Sequence, residues 1–258
     1  GQESGLGAPH ILALFAVALV AGAAFIRRML TVDQPMVDLR LFRSPLLTVS
    51  VVSGFLTFVA VSALFLLLPF FLEGVLGFGI ALVGVLLGAS PLVLGIVAPI
   101  SGWLSDRIGV RVLTLIGLLM MSGVYFGFRT VSTDMSIPHY LALAIPFGIG
   151  IGVFQSPNNS AIMGSVPKAF TGLAAGLLSI TRILGQITGV AVIGSIWASR
   201  VAARSEFPLP GGDATAALPV AQVGGLKDVF TILASLLLVA AIVGAWGLTK
   251  ERQEKALV

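Results

Sequence analysis

Apolar runs of about twenty residues, parted only by short polar links, recur along the whole chain and leave it little choice of fold. With 57% hydrophobic and 10% charged residues, and a mean hydropathy of +1.07, no soluble fold could cover this surface with polar groups. Each run matches a bilayer core of about 30 Å, which takes about 20 helical residues. Backbone groups in lipid must be satisfied within their own segment, and the alternating ten-residue strands of a barrel are absent, so the runs read as helices. The expected fold is an all-α integral membrane protein of about seven transmembrane helices.

The candidate spans fall at about 10–27, 46–71, 79–101, 110–128, 138–157, 172–198 and 228–248. The links are a basic stretch from Arg27 to Arg43, a turn over Glu73–Gly79, a charged loop over Gly102–Arg111 and a turn over Arg129–Pro138. After these come a segment about Asn158–Lys168 and a long irregular stretch, about Ser199 to Lys227, holding Pro208, Pro210, Gly211 and Gly212. Alternate links and the tail carry ten basic residues: Arg27, Arg28, Arg40, Arg43, Arg107, Arg111, Lys168, Lys250, Arg252 and Lys255. The other side carries four: Arg129, Arg200, Arg204 and Lys227. The positive-inside rule makes the first side cytoplasmic, with an external start and a cytoplasmic tail. The net charge of +4 is thus read as inner-face anchoring and not as nucleic-acid binding. Gly1 in place of a methionine and seven spans from an external start are expected of the later part of a longer protein. In the first cytoplasmic link Asp33 can cap a short helix with Pro35 in its first turn, its Met36, Leu39 and Phe42 facing the interface; a solvated loop is the other reading.

Chemistry is sparse. The chain has no cysteine, hence no disulfide, thiolate metal site or thiol nucleophile. It has no H-E-x-x-H, no G-x-S-x-G and no paired intramembrane carboxylates. No catalytic residue, metal or cofactor is expected. His10 and His139 lie near the outer edges and suit no metal.

Between Gly102 and Arg111 an acid, two arginines and two glycines are packed into ten residues. Gly102 and Gly109 permit a tight turn and close helix approach. Asp106 can face the positive end of a neighbouring helix, and Arg107 or Arg111 can pair with an acid or with anionic lipid. The plain alternative is an ordinary turn with anchoring arginines. Arg182 is the costliest residue for a membrane, about 2.5–3.5 kcal/mol at a span centre on insertion scales. It shares a helical stripe with Ser179, Gln186 and Gly189, so it either lines a cavity or snorkels to the interface. Gln155 and Asn158 can offer uncharged hydrogen bonds at a cavity mouth; Asn159 reads as a cap. Gly84, Gly88, Pro91, Gly148, Gly152, Gly185 and Gly189 have spacing suited to close or flexing helix contact. Glu73 reads as a solvated span end, and Phe55, Phe58, Phe65, Phe70 and Phe71 as packing, lipid contact or a hydrophobic pocket.

The loop resembles the major facilitator superfamily pattern Gly-x-x-x-Asp-Arg-x-Gly-(Arg/Lys)-(Arg/Lys), with Gly102, Asp106, Arg107, Gly109 and Arg111 in register and Val110 in place of a basic residue. Ala174 to Ala191 resembles the penultimate span of the fourteen-span drug:proton antiporters through Gly176, Arg182, Gly185 and Gly189. Ile183 and Gln186 depart from that pattern. Pro35 to Arg43 resembles the link before the last six spans of that branch. The resemblance implies that residues 1–30 carry an external start and a linker helix, 31–45 an interfacial link, 46–249 the C-terminal six-helix domain and 250–258 a cytoplasmic tail. It further implies an N-terminal six-helix domain of the same protein as partner, a bacterial inner membrane, and proton-coupled efflux of hydrophobic or cationic small molecules by alternating access. Other readings are a carrier of nutrients or metabolites, and a membrane sensor subunit.

Overall fold

The computed structural model describes residues 44–206, 209 and 212–256, the last eleven as backbone, and scattered helical residues between Ala13 and Thr31. The first expected span is seen only at those scattered positions, and the interfacial helix expected over Asp33–Arg43 lies outside the described residues. No strand occurs among the described residues.

Six helices are long and apolar enough to cross a membrane. They are α1 (Pro45–Val75), α2 (Ile80–Ile108), α3 (Val110–Thr130), α4 (Ile137–Gly164), α5 (Thr171–Ala202) and α6, whose apolar part is Pro219–Ala245 and whose backbone stays helical to Ala256. Several run past the ends expected from composition. α2 continues through Gly102–Ile108, so the expected ten-residue loop shrinks to Gly109 alone (φ 92°, ψ 141°) before α3 begins. Trp103, Leu104 and Ile108 carry the apolar pattern on, and the Gly109 N–H closes the last turn on Ser105 O at 2.9 Å. α4 passes through Pro157 to Gly164, which puts Asn159 inside the helix and not at a cap. α6 starts at Pro219, where a proline costs no helical hydrogen bond, and the link before it is shorter than expected.

Proline inside a span frees a carbonyl that lipid cannot satisfy. Pro157 leaves Val153 O without its helical donor, and Ser101 Oγ of α2 donates to it at 3.1 Å. Similar cross-helix bonds tie Ser90 Oγ to Ala144 O (2.9 Å), Ser122 Oγ to Ala234 O (2.8 Å) and Tyr125 OH to Ala60 O (2.6 Å). Each joins two helices where water cannot compete.

α4 packs chiefly on α2 and α3, α1 on α5 and α6, while α3 meets α6 and α1 meets α4. Exchanging the triplet α1–α3 with α4–α6 therefore reproduces the same neighbours. α1 begins on the face that holds Gly109 and α4 on the face that holds Asp213, so the two triplets are inverted repeats. Tyr125, Phe128, Phe147 and Phe230 fill the centre of the α3/α4/α6 side, with Phe128 and Phe230 centroids 5.2 Å apart and Tyr125 edge-on to Phe147 at 5.5 Å.

Glycines set the closest crossings. On α4, Gly148 and Gly152 lie against Ser90, Val93 and Val97 of α2, and Gly150 against Met121 of α3. Gly117 of α3 meets the Phe154 backbone, and on α5 Gly185 and Gly189 lie against Phe55, Phe58 and Val59 of α1. A side chain at any of these positions would displace a neighbour. Gly84 and Gly88 differ: nothing lies within 4 Å of a Cβ built on either, and Pro91 is exposed, so they make no such contact among the described residues.

On the Asp213 face, Arg204 Nη1 pairs with Asp228 Oδ2 at 2.7 Å and Arg200 Nε approaches the same oxygen at 3.8 Å, joining the end of α5 to the start of α6. Gln222 Nε2 holds the intervening link by donating to Thr215 O and Ala217 O. Asp213 caps Thr215, whose side-chain and then backbone hydrogen bonds hold the exposed carboxyl below its usual range. Asp228→Asn is expected to lower stability by only about 1 kcal/mol, since the pair is part-exposed. Thermal unfolding in detergent, wild type against variant, measures it; a fall of more than ten degrees would mean the link is organised by this pair.

Candidate functional site: a crevice between α1, α2 and α4

Two spans are poorly covered. Only 17% of the most apolar stretch of α2 and 22% of that of α5 is buried, against 39–50% for the other four. α2 and α5 occupy equivalent places in the two inverted repeats and flank the touching pair α1 and α4. Between α1, α2 and α4 lies a crevice of about 60 Å³, lined by Thr57, Phe58, Phe65, Pro91, Phe154 and Gln155 among others. Of the cavity candidates, Gln155 thus reaches the crevice, half-buried. Phe55 and Phe71, by contrast, pack inward against the core.

Arg182 borders this crevice. Its guanidinium stands 5.2 Å from the Phe58 ring centroid, within cation–π range. At 1.5 Å per residue it sits about 17 Å along a span of about 48 Å, hence about 8 Å inside a centred 30 Å core. Ser179, Arg182 and Gln186 are all exposed and share one stripe, about 100° round the helix from the buried stripe of Thr181, Gly185 and Gly189. The polar stripe therefore borders the α1 contact. Beside it the exposed surface of α5 is apolar, with Ile180, Ile183, Leu184 and Ile187 each at least half exposed. Gly189 also opens a π-helical turn, Gly189–Ile193, where α5 leans on α1.

Asn158 is elsewhere. It is 97% buried (3% exposed), one turn beyond Gln155, and faces a second cavity nearer the Gly109 face with Ser50, Ser53 and Arg111. Sequence reasoning passed over Ser50, Ser53 and Thr57, whose i, i+3, i+7 spacing on α1 was the available signal.

At the Gly109 turn, Asp106 and Arg107 project from the last turn of α2 and are exposed. Arg107 lies over the Trp103 ring at 3.9 Å. Asp106 has no hydrogen bond or ion pair among the described residues. Gly102 approaches Ser156 of α4, where a Cβ would lie 3.0 Å from Ser156 Oγ. Arg111 lies within the first turn of α3. These five residues are brought to one corner of the bundle, but not as a loop.

The sequence profile described as Major Facilitator Superfamily matches residues 5–190. The chain is 34% identical over 193 residues to the uncharacterized transporter YebQ of Escherichia coli, covering 75% of this chain and 42% of that one. It is 29% identical over 175 residues to the riboflavin transporter RibZ of Clostridioides difficile, covering 68% and 38%. It is 29% identical over 208 residues to the multidrug resistance protein Stp of Mycobacterium tuberculosis, covering 80% and 38%. The chain spans about two fifths of the length of each of these relatives.

Proposed function

The chain belongs to the Major Facilitator Superfamily, and from that premise we propose that it is the C-terminal six-helix part, with a linker helix, of a proton-coupled exporter of hydrophobic or cationic small molecules. The observation that carries this reading is the crevice between α1, α2 and α4, lined by Phe58, Phe65 and Phe154 and flanked by the two least covered spans, α2 and α5. A second six-helix domain laid against α2 and α5 closes that crevice into a central path, and rocking of the two domains gives alternating access. The Gly109 face is taken as cytoplasmic from the distribution of arginine and lysine, and the membrane as a bacterial inner membrane from the family resemblance and the bacterial relatives. Of the acidic residues within the described spans, Glu73 and Asp106 lie at helix ends and Asp228 is paired with Arg204 and Arg200, so the proton-carrying group is assigned to the other domain. Asp106, exposed and unpaired at a helix C-terminus that disfavours its charge, finds its counter-charge there too. Similarity to a multidrug resistance protein supports export of this substrate class.

A second reading rests on one observation. Among the described residues Arg182 is the one charged side chain beside the crevice, and a guanidinium over an aromatic ring suits neutral or anionic aromatic solutes better than cations. Similarity to a riboflavin transporter points the same way.

The deciding experiment uses inside-out vesicles carrying the full-length protein with a preset pH gradient. Addition of a lipophilic cation is expected to dissipate the gradient in step with its uptake. Dissipation by an aromatic anion alone would replace the first reading by the second, and none by either would sink proton-coupled export. In the same assay Asp106→Asn is expected to cut flux at least tenfold with an unchanged amount of protein in the membrane; wild-type flux removes Asp106 from the gate.

A further inference from the structure

Most buried polar side chains in the described molecule have found a partner. Ser62, Ser90, Ser101, Ser105, Ser122 and Thr181 each donate to a backbone carbonyl, and Gln222 to two. Four make no hydrogen bond among the described residues: Ser50, Ser53, Thr57 and Asn158, between 2% and 6% exposed, and of their polar atoms the Thr57 hydroxyl is fully enclosed. They do not scatter. The three hydroxyls form one stripe on α1, at helical spacing i, i+3, i+7, and Asn158 on α4 faces the same seam: a Cβ on Gly54, between them in sequence, would meet Asn158 Nδ2 at 3.2 Å.

Four unpaired polar groups gathered at one helix crossing, at membrane depth, would each cost about 1–3 kcal/mol if left dry. Ser50, Ser53 and Asn158 line a common cavity of about 20 Å³, just above the room one water molecule needs. The walls supply the two to four polar contacts that a buried water takes: two hydroxyls and an amide that both donates and accepts. Thr114 of α3 also lines the cavity, its hydroxyl already given to Arg111 O at 2.9 Å.

We infer that the α1/α4 seam is a buried hydration site, in which an ordered water bridges Ser50 and Ser53 of α1 to Asn158 of α4. Thr57 and Gln155 stand one turn further along the same two helices and line the crevice, so the hydrated seam leads from the Gly109 side toward that crevice. A crossing closed by water and not by direct side-chain bonds can be re-formed after α1 and α4 shift, because each hydroxyl exchanges one water for another.

The test is a structure of the wild-type full-length protein at a resolution where other buried waters are seen. A density peak within hydrogen-bond distance of Asn158 and of Ser50 or Ser53 is expected; an empty cavity, or an ion there, overturns the inference. Thermal unfolding of Asn158→Leu gives a second reading. Loss of the water's amide partner is expected to lower the midpoint by several degrees and to be non-additive with Ser53→Ala. A raised midpoint, as for an apolar group filling a dry void, also overturns it.

Discussion

Gly117→Ala and Gly148→Ala are each expected to cost more stability than any comparable surface change in this chain, although alanine is the better helix former by about 1 kcal/mol. A methyl on Gly117 would sit 2.6 Å from Phe154 N and 2.8 Å from its Cα, and one on Gly148 would sit 2.6 Å from Ser90 O. Those are backbone atoms in the middle of facing helices, which no rotamer change can move aside. The helices must part, and overpacking of this kind costs about 1–3 kcal/mol, sometimes more. For Gly148 the parting also stretches the Ser90–Ala144 hydrogen bond on the same crossing. Gly123→Ala on α3 is the control: nothing lies within 4 Å of its Cβ position, so it should be neutral or slightly stabilising. Thermal unfolding in detergent of the three variants separates the cases. Equal midpoints for Gly117→Ala and Gly123→Ala would show that the α3/α4 crossing is not set by close backbone approach.

The contrast among these glycines marks what could be read from the chain alone. Composition and run length placed seven apolar spans, six of which are long helices among the described residues, because lipid leaves one backbone solution, and that argument needs no tertiary detail. Helix ends were less legible. Apolarity measures the hydrocarbon thickness, whereas a helix such as α2 continues into the headgroup layer with Asp106 and Arg107 on its last turn. Pro157 looked like a stop, but its freed carbonyl is taken by Ser101, a residue 52 positions away in another helix. Small-residue spacing showed faces on which close packing was possible on α2, α4 and α5. It could not show that a neighbour lies over Gly148 and Gly152 yet none over Gly84 and Gly88, because that depends on which helix crosses which. The Ser50, Ser53 and Thr57 stripe could be read as a spacing but not as a set of unpaired groups, since hydroxyls in a span ordinarily bond their own helix; only the structure shows that these do not.

Arg182→Ala is expected to abolish flux in the full-length protein while membrane insertion and the amount of folded protein stay unchanged. The separation follows from position. Arg182 is exposed on its own helix and lies over the Phe58 ring, a part-buried neighbour, with no ion pair or hydrogen bond among the described residues, so its removal leaves no buried partner there unpaired. Stability therefore has little to lose, and insertion into lipid becomes easier by about 2.5–3.5 kcal/mol on the translocon scale. Function has more to lose, for among the described residues this is the one charge beside the crevice, about 8 Å inside the core, where field strength is high because water is scarce. Arg182→Lys keeps the charge but not the flat guanidinium that stacks on Phe58, and should recover part of the flux if charge is what matters. Transport of several substrates, with protein amount checked by immunoblot, decides the outcome. Equal loss for cations, anions and neutral aromatics in Arg182→Ala would mean that Arg182 pairs with an acid of the other domain. Selective loss of anions would mean that it meets the substrate itself. Wild-type flux for all of them would remove it from the transport path.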